Sequence, residues 1–386
     1  MVTGSGANII TLFVAKYTST GSLLWVQKIG YSAMLLQANE IVLDASGNIY
    51  LAGYYQASAT FGTTAFATSG LRDIFIAKMN SSGNLQWVRK AGGPSDDEAT
   101  DLALAGNGDL YLCGYIGNNA VFGTTTYTTA GGLDMFVAKY DNNGIFQWAR
   151  KGGSTQDDKA NGIVMNTDGE ITVIGDFAGN ATFGTKSLGH SGYKDIFMIR
   201  YDSNGIVAWA KGMGGSGDDY AKGIASDANK NLYILGEFWD TATFGSETLT
   251  PTGGADVFVG KFSNAGDLQW VQKDGGDHNE FPKAIALDSE GNIYIAGNFL
   301  YYSYFGGTKL VDTGSADVFI AKYNSKFKLQ WVKGIGGEEQ DDALEIKTDS
   351  TGNVYTAGYY VEEITIGDNT FFCGGLSNAF ILRIRD

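Results

Sequence analysis

The sequence predicts an all-β protein assembled from repeated four-stranded antiparallel units, and three observations predict it. Tryptophans recur at Trp25, Trp87, Trp148, Trp209, Trp270 and Trp331, about 61 residues apart. Each sits in a similar phrase, among them "LLWVQKIG", "LQWVRKAG" and "FQWARKGG". The chain also holds 55 glycines, three prolines and 13% aromatic residues, a mixture that favours turns and short strands over helix.

One period reads in order as four strands. Strand A, "ATDLALAG", passes through the turn "NGD" into strand B, "LYLCGY". A longer loop, "IGNNAVFGTTTYTTAGGLD", leads to strand C, "MFVAKY", and the turn "DNNG" leads to strand D, "IFQWARKGG". Turn signals "DASGN", "NTDG" and "DSEGN" join A to B, and "TSTG", "NSSG" and "DSNG" join C to D. Strand B is a nearly continuous apolar run, as expected when both faces of a sheet are covered.

Four-stranded units of this length, stacked face to face, are the blades of a β-propeller. A linear solenoid has shorter units and distinct polar caps. Here the chain begins with C and D strands ("LFVAKY", "LLWVQKIG") and ends with A, B and C strands ("ALEIKTD", "NVYTAGYY", "AFILRIRD"). The simplest expectation is one domain over residues 1–386, a six-bladed ring closed by both termini within one blade. Strand C nevertheless occurs seven times, counting Leu12–Tyr17 and Phe380–Asp386. Seven blades is the alternative, although residues 1–11 are too few to supply the missing A and B strands.

The phrases "DMFVAKYDNNGIFQWARKGG", "DIFIAKMNSSGNLQWVRKAGG" and "ADVFIAKYNSK" resemble the bacterial SBBP-type β-propeller repeat. The resemblance runs from Leu12 almost to the end. It departs from the family pattern where strand D carries Trp and where the B–C loop reads "TFG". The resemblance implies a propeller fold and a secreted or cell-surface bacterial protein in which other domains accompany the repeat. It implies no active site.

The net charge of −15 argues against nucleic acid, whose phosphates need a basic surface. No stretch reaches the roughly 18 consecutive apolar residues needed to span a bilayer. The start, "MVTGSGANII", lacks the basic and apolar regions of a signal peptide, so the chain reads as a mature or excised domain. Cys113 and Cys373 have no metal-type spacing.

The connections from D to A carry a glycine pair and then an acidic pair. The acids are Asp96/Asp97, Asp157/Asp158, Asp218/Asp219 and Asp341/Asp342, with Asn279/Glu280 in the remaining copy and no pair in "GYSAMLLQANE". As loop braces, these carboxylates accept backbone N–H groups. As ligands, they form a ring that takes Ca²⁺ at the mouth of the channel. They lack the spaced D-x-D-x-D-G of a self-contained calcium loop, so such a site would combine several connections.

A ligand site should fall where the repeat is broken. After the strand B glycine stand Tyr54, Tyr115, Asp176, Glu237, Asn298 and Tyr359, so three consecutive units replace Tyr by a polar residue. Nearby loops add Trp239, Tyr301, Tyr302 and Tyr304, and aromatic rings beside carboxylates and amides suit carbohydrate or protein ligands. The expected function is a non-catalytic binding or scaffolding module acting on the long-loop face, the face that the D–A and B–C connections share in a propeller whose strand A is innermost. The alternative is a polysaccharide-active enzyme using carboxylates, with Asp176 and Glu237 as the first candidates. No cofactor other than Ca²⁺ is suggested, and no hydrolase or phosphate-loop motif occurs.

Overall fold

The computed structural model describes residues 9–384, and every regular element among them is a β-strand. The first eight residues, read above as a start without a signal peptide, and the last two of the final strand C lie outside the described residues. The fold is an all-β propeller of antiparallel blades. The first blade has only strands C and D, Ile10–Tyr17 and Leu23–Ser32. In the second, strands A to D are Leu35–Leu43, Ile49–Gln56, Arg72–Met79 and Leu85–Ala91. In the third they are Glu98–Leu104, Leu110–Ile116, Asp134–Tyr140 and Phe146–Gly153.

The fourth blade comprises Lys159–Met165, Ile171–Phe177, Asp195–Tyr201 and Val207–Gly215. The fifth comprises Asp219–Ser226, Leu232–Phe238, Asp256–Phe262 and Leu268–Asp274. The sixth comprises Glu280–Leu287, Ile293–Phe299, Asp317–Tyr323 and Leu329–Ile335. The seventh has A, B and C only, Asp341–Thr348, Val354–Tyr360 and Asn378–Ile384.

The chain therefore carries seven blades, not the six expected. Leu23–Ser32 takes Ile10–Tyr17 as its partner, while Asn378–Ile384 pairs with Val354–Tyr360. The seventh copy of strand C is thus no surplus. It belongs to an incomplete last blade, as Ile10–Tyr17 belongs to an incomplete first one. Local pairing explains the first blade: the turn Thr18–Ser22 closes on itself, with Thr18 N donating to Ser22 O at 2.8 Å, so little loop entropy is lost.

Two compact units make up the chain, residues 1–189 with 199–210 and residues 190–198 with 211–386; the division runs through strands C and D of the fourth blade. In the first unit one core joins Ile74 and Ile76 of the second blade to Leu112, Phe122 and Phe136 of the third. In the second, Tyr294, Val318 and Ile320 of the sixth blade pack with Ala343, Ile346 and Ile364 of the seventh. Strand B is buried along its whole length in the third, fifth and sixth blades, which explains its lack of alternation.

The B–C loop holds a feature the sequence reading passed over. Each contains a short hairpin, such as Ala120–Phe122 with Thr125–Tyr127, turning on Gly123 at φ 61°. Its first strand joins the preceding blade, where Gly92 and Val121 exchange backbone hydrogen bonds at 3.1 and 2.9 Å. The Phe of "TFG" is the buried anchor: Phe61, Phe122, Phe183, Phe244 and Phe305 are all inaccessible to solvent.

Candidate functional site

The acidic pairs separate on folding. The second acid of each pair is fully buried and turned back to the glycines. Asp97 accepts N–H groups from Gly93 (2.6 Å) and Gly117 (3.0 Å), and Asp158 accepts them from Ser154 (2.6 Å) and Ala178 (3.2 Å). Asp219 accepts from Gly215, Glu280 from Gly276 and Asp341 from Gly337, each four residues earlier. The last connection is one residue out of step. Asp341 is therefore the equivalent of Asp97, and Asp342 falls one position later, bonded to the hydroxyl of Tyr359 at 2.7 Å.

The first acid of the pairs Asp96/Asp97, Asp157/Asp158 and Asp218/Asp219 faces elsewhere. Asp96 forms a two-pronged ion pair with Arg72 at 3.0 and 3.1 Å, and Asp157 accepts the N–H of Leu133 at 2.9 Å. Asp218 lies beside Lys194, joined to it by a backbone bridge. Among the described residues no group of three or more His, Cys, Asp or Glu side chains is placed to hold a metal ion. A cation at these connections would meet buried carboxyls each of which already has an oxygen serving a backbone N–H group.

Each buried acid faces a second buried carboxylate, the Asp that opens strand C. The couples are Asp73/Asp97, Asp134/Asp158, Asp195/Asp219, Asp256/Glu280 and Asp317/Asp341, and in each the strand C Asp raises the proton affinity of the other acid. Burial, reinforced by that neighbour, pushes Asp97, Asp158, Asp219 and Asp341 up to about 7 and Glu280 up to about 8. The glycine pair has a steric cause. A Cβ on Gly214 would lie 2.3 Å from Asp195 Oδ1, and one on Gly215 would lie 2.0 Å from the carbonyl of Thr241.

The strand B glycines are equally constrained. A Cβ on Gly114 would come 2.0 Å from Glu98 O and one on Gly236 2.1 Å from Tyr220 O, both in strand A of the same blade. The A strand bulges there, as between Ala221 and Gly223. The approach is to the blade's own first strand and not to the neighbouring blade.

The residues following these glycines are mostly buried and engaged. Asp176 accepts from Asn161 Nδ2 at 2.9 Å and Glu237 pairs with Lys222 at 3.2 Å, whereas Asn298 is buried with its Oδ1 lacking a hydrogen-bond partner. Tyr54 and Tyr115 bond to Gln37 and Glu98, with the guanidinium of Arg72 over both rings. These positions form the polar inner ends of the blades rather than an open surface.

The loop aromatics behave differently. Tyr301 is 60% exposed, Tyr304 41% and Trp239 37%. Tyr301 adopts φ 59°, left-handed backbone that a tyrosine rarely takes, and its N–H is held by Asp312 Oδ2. Its ring lies tilted against His278, 4.4 Å between centroids with 38° between planes, and His278 meets Tyr302 edge-on at 5.6 Å. Tyr304 meets the edge of Tyr302 at 6.1 Å, the ammonium of Lys309 covers Tyr302 at 4.3 Å, and the Tyr302 hydroxyl bonds to Asp277. The structure thus brings Tyr301, Tyr302 and Tyr304 together and adds His278, Asp277 and Lys309. The sequence signal for these was "GGDHNEF", the connection that departs from the acidic pair.

No family model matches this chain. A WD repeat-containing protein of Acanthamoeba polyphaga mimivirus, itself uncharacterised, is 23% identical over 444 aligned positions, covering 90% of this chain. The regulatory protein FlaEY of Caulobacter vibrioides is 24% identical over 354, covering 84%. The chain spans about a third of each relative's length, 32% and 36% respectively. A solved protein of unknown function from Bacteroides caccae superposes with a TM-score of 0.39 at 11% identity, over 73% of this chain and 78% of its own.

Proposed function

We propose that the chain is a non-catalytic binding or scaffolding module whose ligand, a protein or a carbohydrate, docks on the B–C face. The observation carrying this reading is the ring cluster of Tyr301 and Tyr304, both exposed, with the half-buried Tyr302 and His278, where three other B–C hairpins open on Ala-Thr-Phe. Rigid rings give large contact area at low entropic cost, and Asp277 and Asp312 fix their orientation. The WD-repeat relative supports a protein as the ligand.

The catalytic alternative draws less support, because Asp176 and Glu237 are buried and taken up by Asn161 and Lys222. The SBBP resemblance supports placing the module outside a bacterial cell, as part of a larger protein. Glycan and peptide arrays probed with the pure chain test the reading. Binding without turnover is expected, whereas turnover of any bound glycan would favour the enzyme.

A further inference from the structure

Among the five buried carboxyl couples, the one in the connection beneath the aromatic cluster stands apart. Here Glu280 replaces Asp, and its longer arm turns one oxygen towards the strand C acid. Asp256 Oδ1 and Glu280 Oε2 are both buried without a hydrogen bond of ordinary geometry, and the buried Ser303 hydroxyl beside Glu280 lowers its proton affinity without offsetting burial. Both face one point: a Cβ on Gly275 would lie 2.4 Å from the first and 2.7 Å from the second. Two oxygens confronting each other away from water would be costly as a pair of anions. A point too tight for a methyl group has no room for a hydrated metal ion, whereas a proton adds no volume.

The remaining oxygens assign the roles. Asp256 Oδ2 receives the ammonium of Lys273 at 2.5 Å, which favours the carboxylate there. Glu280 Oε1 accepts the N–H of Gly276 at 3.1 Å, as the carbonyl oxygen of a carboxylic acid does. We propose that Asp256 and Glu280 share one proton, held on Glu280 Oε2 and donated to Asp256 Oδ1, and that this proton fastens the aromatic loop of the sixth blade to the connection beneath it.

The fastening follows from the neighbours. Gly275 donates its N–H to Tyr304 O at 3.0 Å, Leu300 donates to Asn279 O at 3.3 Å, and His278 lies against Tyr301. Loss of the proton sets two anions face to face beside this short connection, one opening strand C of the fifth blade and one opening strand A of the sixth. The charged and polar groups that face the couple are Lys273 and Asp274 of the fifth blade's strand D, with Asp274 bonded to the Tyr323 hydroxyl, and Ser303 of the hairpin. Asp277 and His278 lie within the connection itself. Burial, with Asp256 adding to it, raises Glu280 to about 8 from an ordinary 4.5. The stability it confers is full below about 4.5 and is lost as pH rises through about 8.

The test uses the full chain and Glu280→Gln, which keeps the volume, the acceptor for Gly276 and a donor for Asp256. Carboxyl ¹³C spectra identify Glu280 as the resonance missing from the variant. In the wild type it should titrate with a midpoint near 8, and ring resonances of Tyr301 and Tyr304 should shift with that midpoint. The variant should lose about one proton from the slope of log unfolding constant against pH between 5 and 7.5, roughly tenfold per pH unit. A Glu280 midpoint below 5, or an unchanged slope in the folded variant, overturns the shared proton. Tyrosine rings blind to that titration overturn the fastening. If the variant does not fold, the wild-type resonance that titrates highest, assigned through its neighbours, decides alone.

Discussion

The indole of Trp87 lies over Gly144 in the C–D turn of the next blade and donates its N–H to Asn142 O at 3.3 Å. A Cβ on Gly144 would be 2.9 Å from the ring. Trp25 sits in the same way on Gly83, and Trp148 on Gly205. The periodic tryptophan therefore joins one blade to the next. Trp87→Ala should cost about 2–4 kcal/mol in denaturant unfolding. A cost within 0.5 kcal/mol would leave the ring as mere surface cover.

A second contrast isolates the strand B glycines. Gly114→Ala forces a Cβ against Glu98 O, while Gly106→Ala meets nothing within 4 Å. The first should lower the melting temperature by several degrees and the second should leave it unchanged. Equal effects would mean that the close approach seen at Gly114 is relieved without cost.

Stability should fall from mildly acid to alkaline pH. Asp97, Asp158, Asp219 and Asp341 bind protons in the native state up to about 7, against 3.8 when unfolded. Their contribution is full below 3.8 and is lost as pH rises through 7. Asp44, Asp96, Asp109 and Asp227 are held low by hydrogen bonds and ion pairs that outweigh burial, so their contribution is lost below 3.8. Thermal melts should therefore peak between pH 4 and 6. A maximum above pH 8 would contradict this account of the buried acids.

Millimolar Ca²⁺ and a chelator should give coincident melts, since the buried acids already bond to backbone N–H groups. A calcium shift of several degrees that vanishes in the Asp218→Asn, Asp219→Asn variant would restore the metal reading.

The blade was legible because its marks are local: the Trp phrase, the Asx turns and the apolar strand B each depend on a few neighbouring residues. The blade count was not, because whether Leu23–Ser32 pairs with Ile10–Tyr17 or with the far end of the chain is a choice between two good partners. The hairpin at "ATFGT" was overlooked although its alternation about a glycine is plain, since three-residue strands fall below the usual length. In the proposed site, Tyr301, Tyr302 and Tyr304 stand out in the sequence because they interrupt the repeat. Asp176, Glu237 and Asn298 interrupt it too, yet all three are buried, and Asp176 and Glu237 are taken up by Asn161 and Lys222. Nothing in the linear sequence says that "DMF" and "DD", 24 residues apart, supply two halves of one carboxyl couple.

The most direct test of the ligand face is binding of the array-identified ligand to Tyr302→Ala and Trp239→Ala, followed by calorimetry. The exposed Tyr17, beside a C–D turn, serves as the matched control. Truncating an anchor should weaken binding by about 2 kcal/mol or more, roughly thirtyfold, with Tyr17→Ala unchanged. Undiminished affinity in both variants, or an equal loss in Tyr17→Ala, would contradict a ligand site on the aromatic B–C loops.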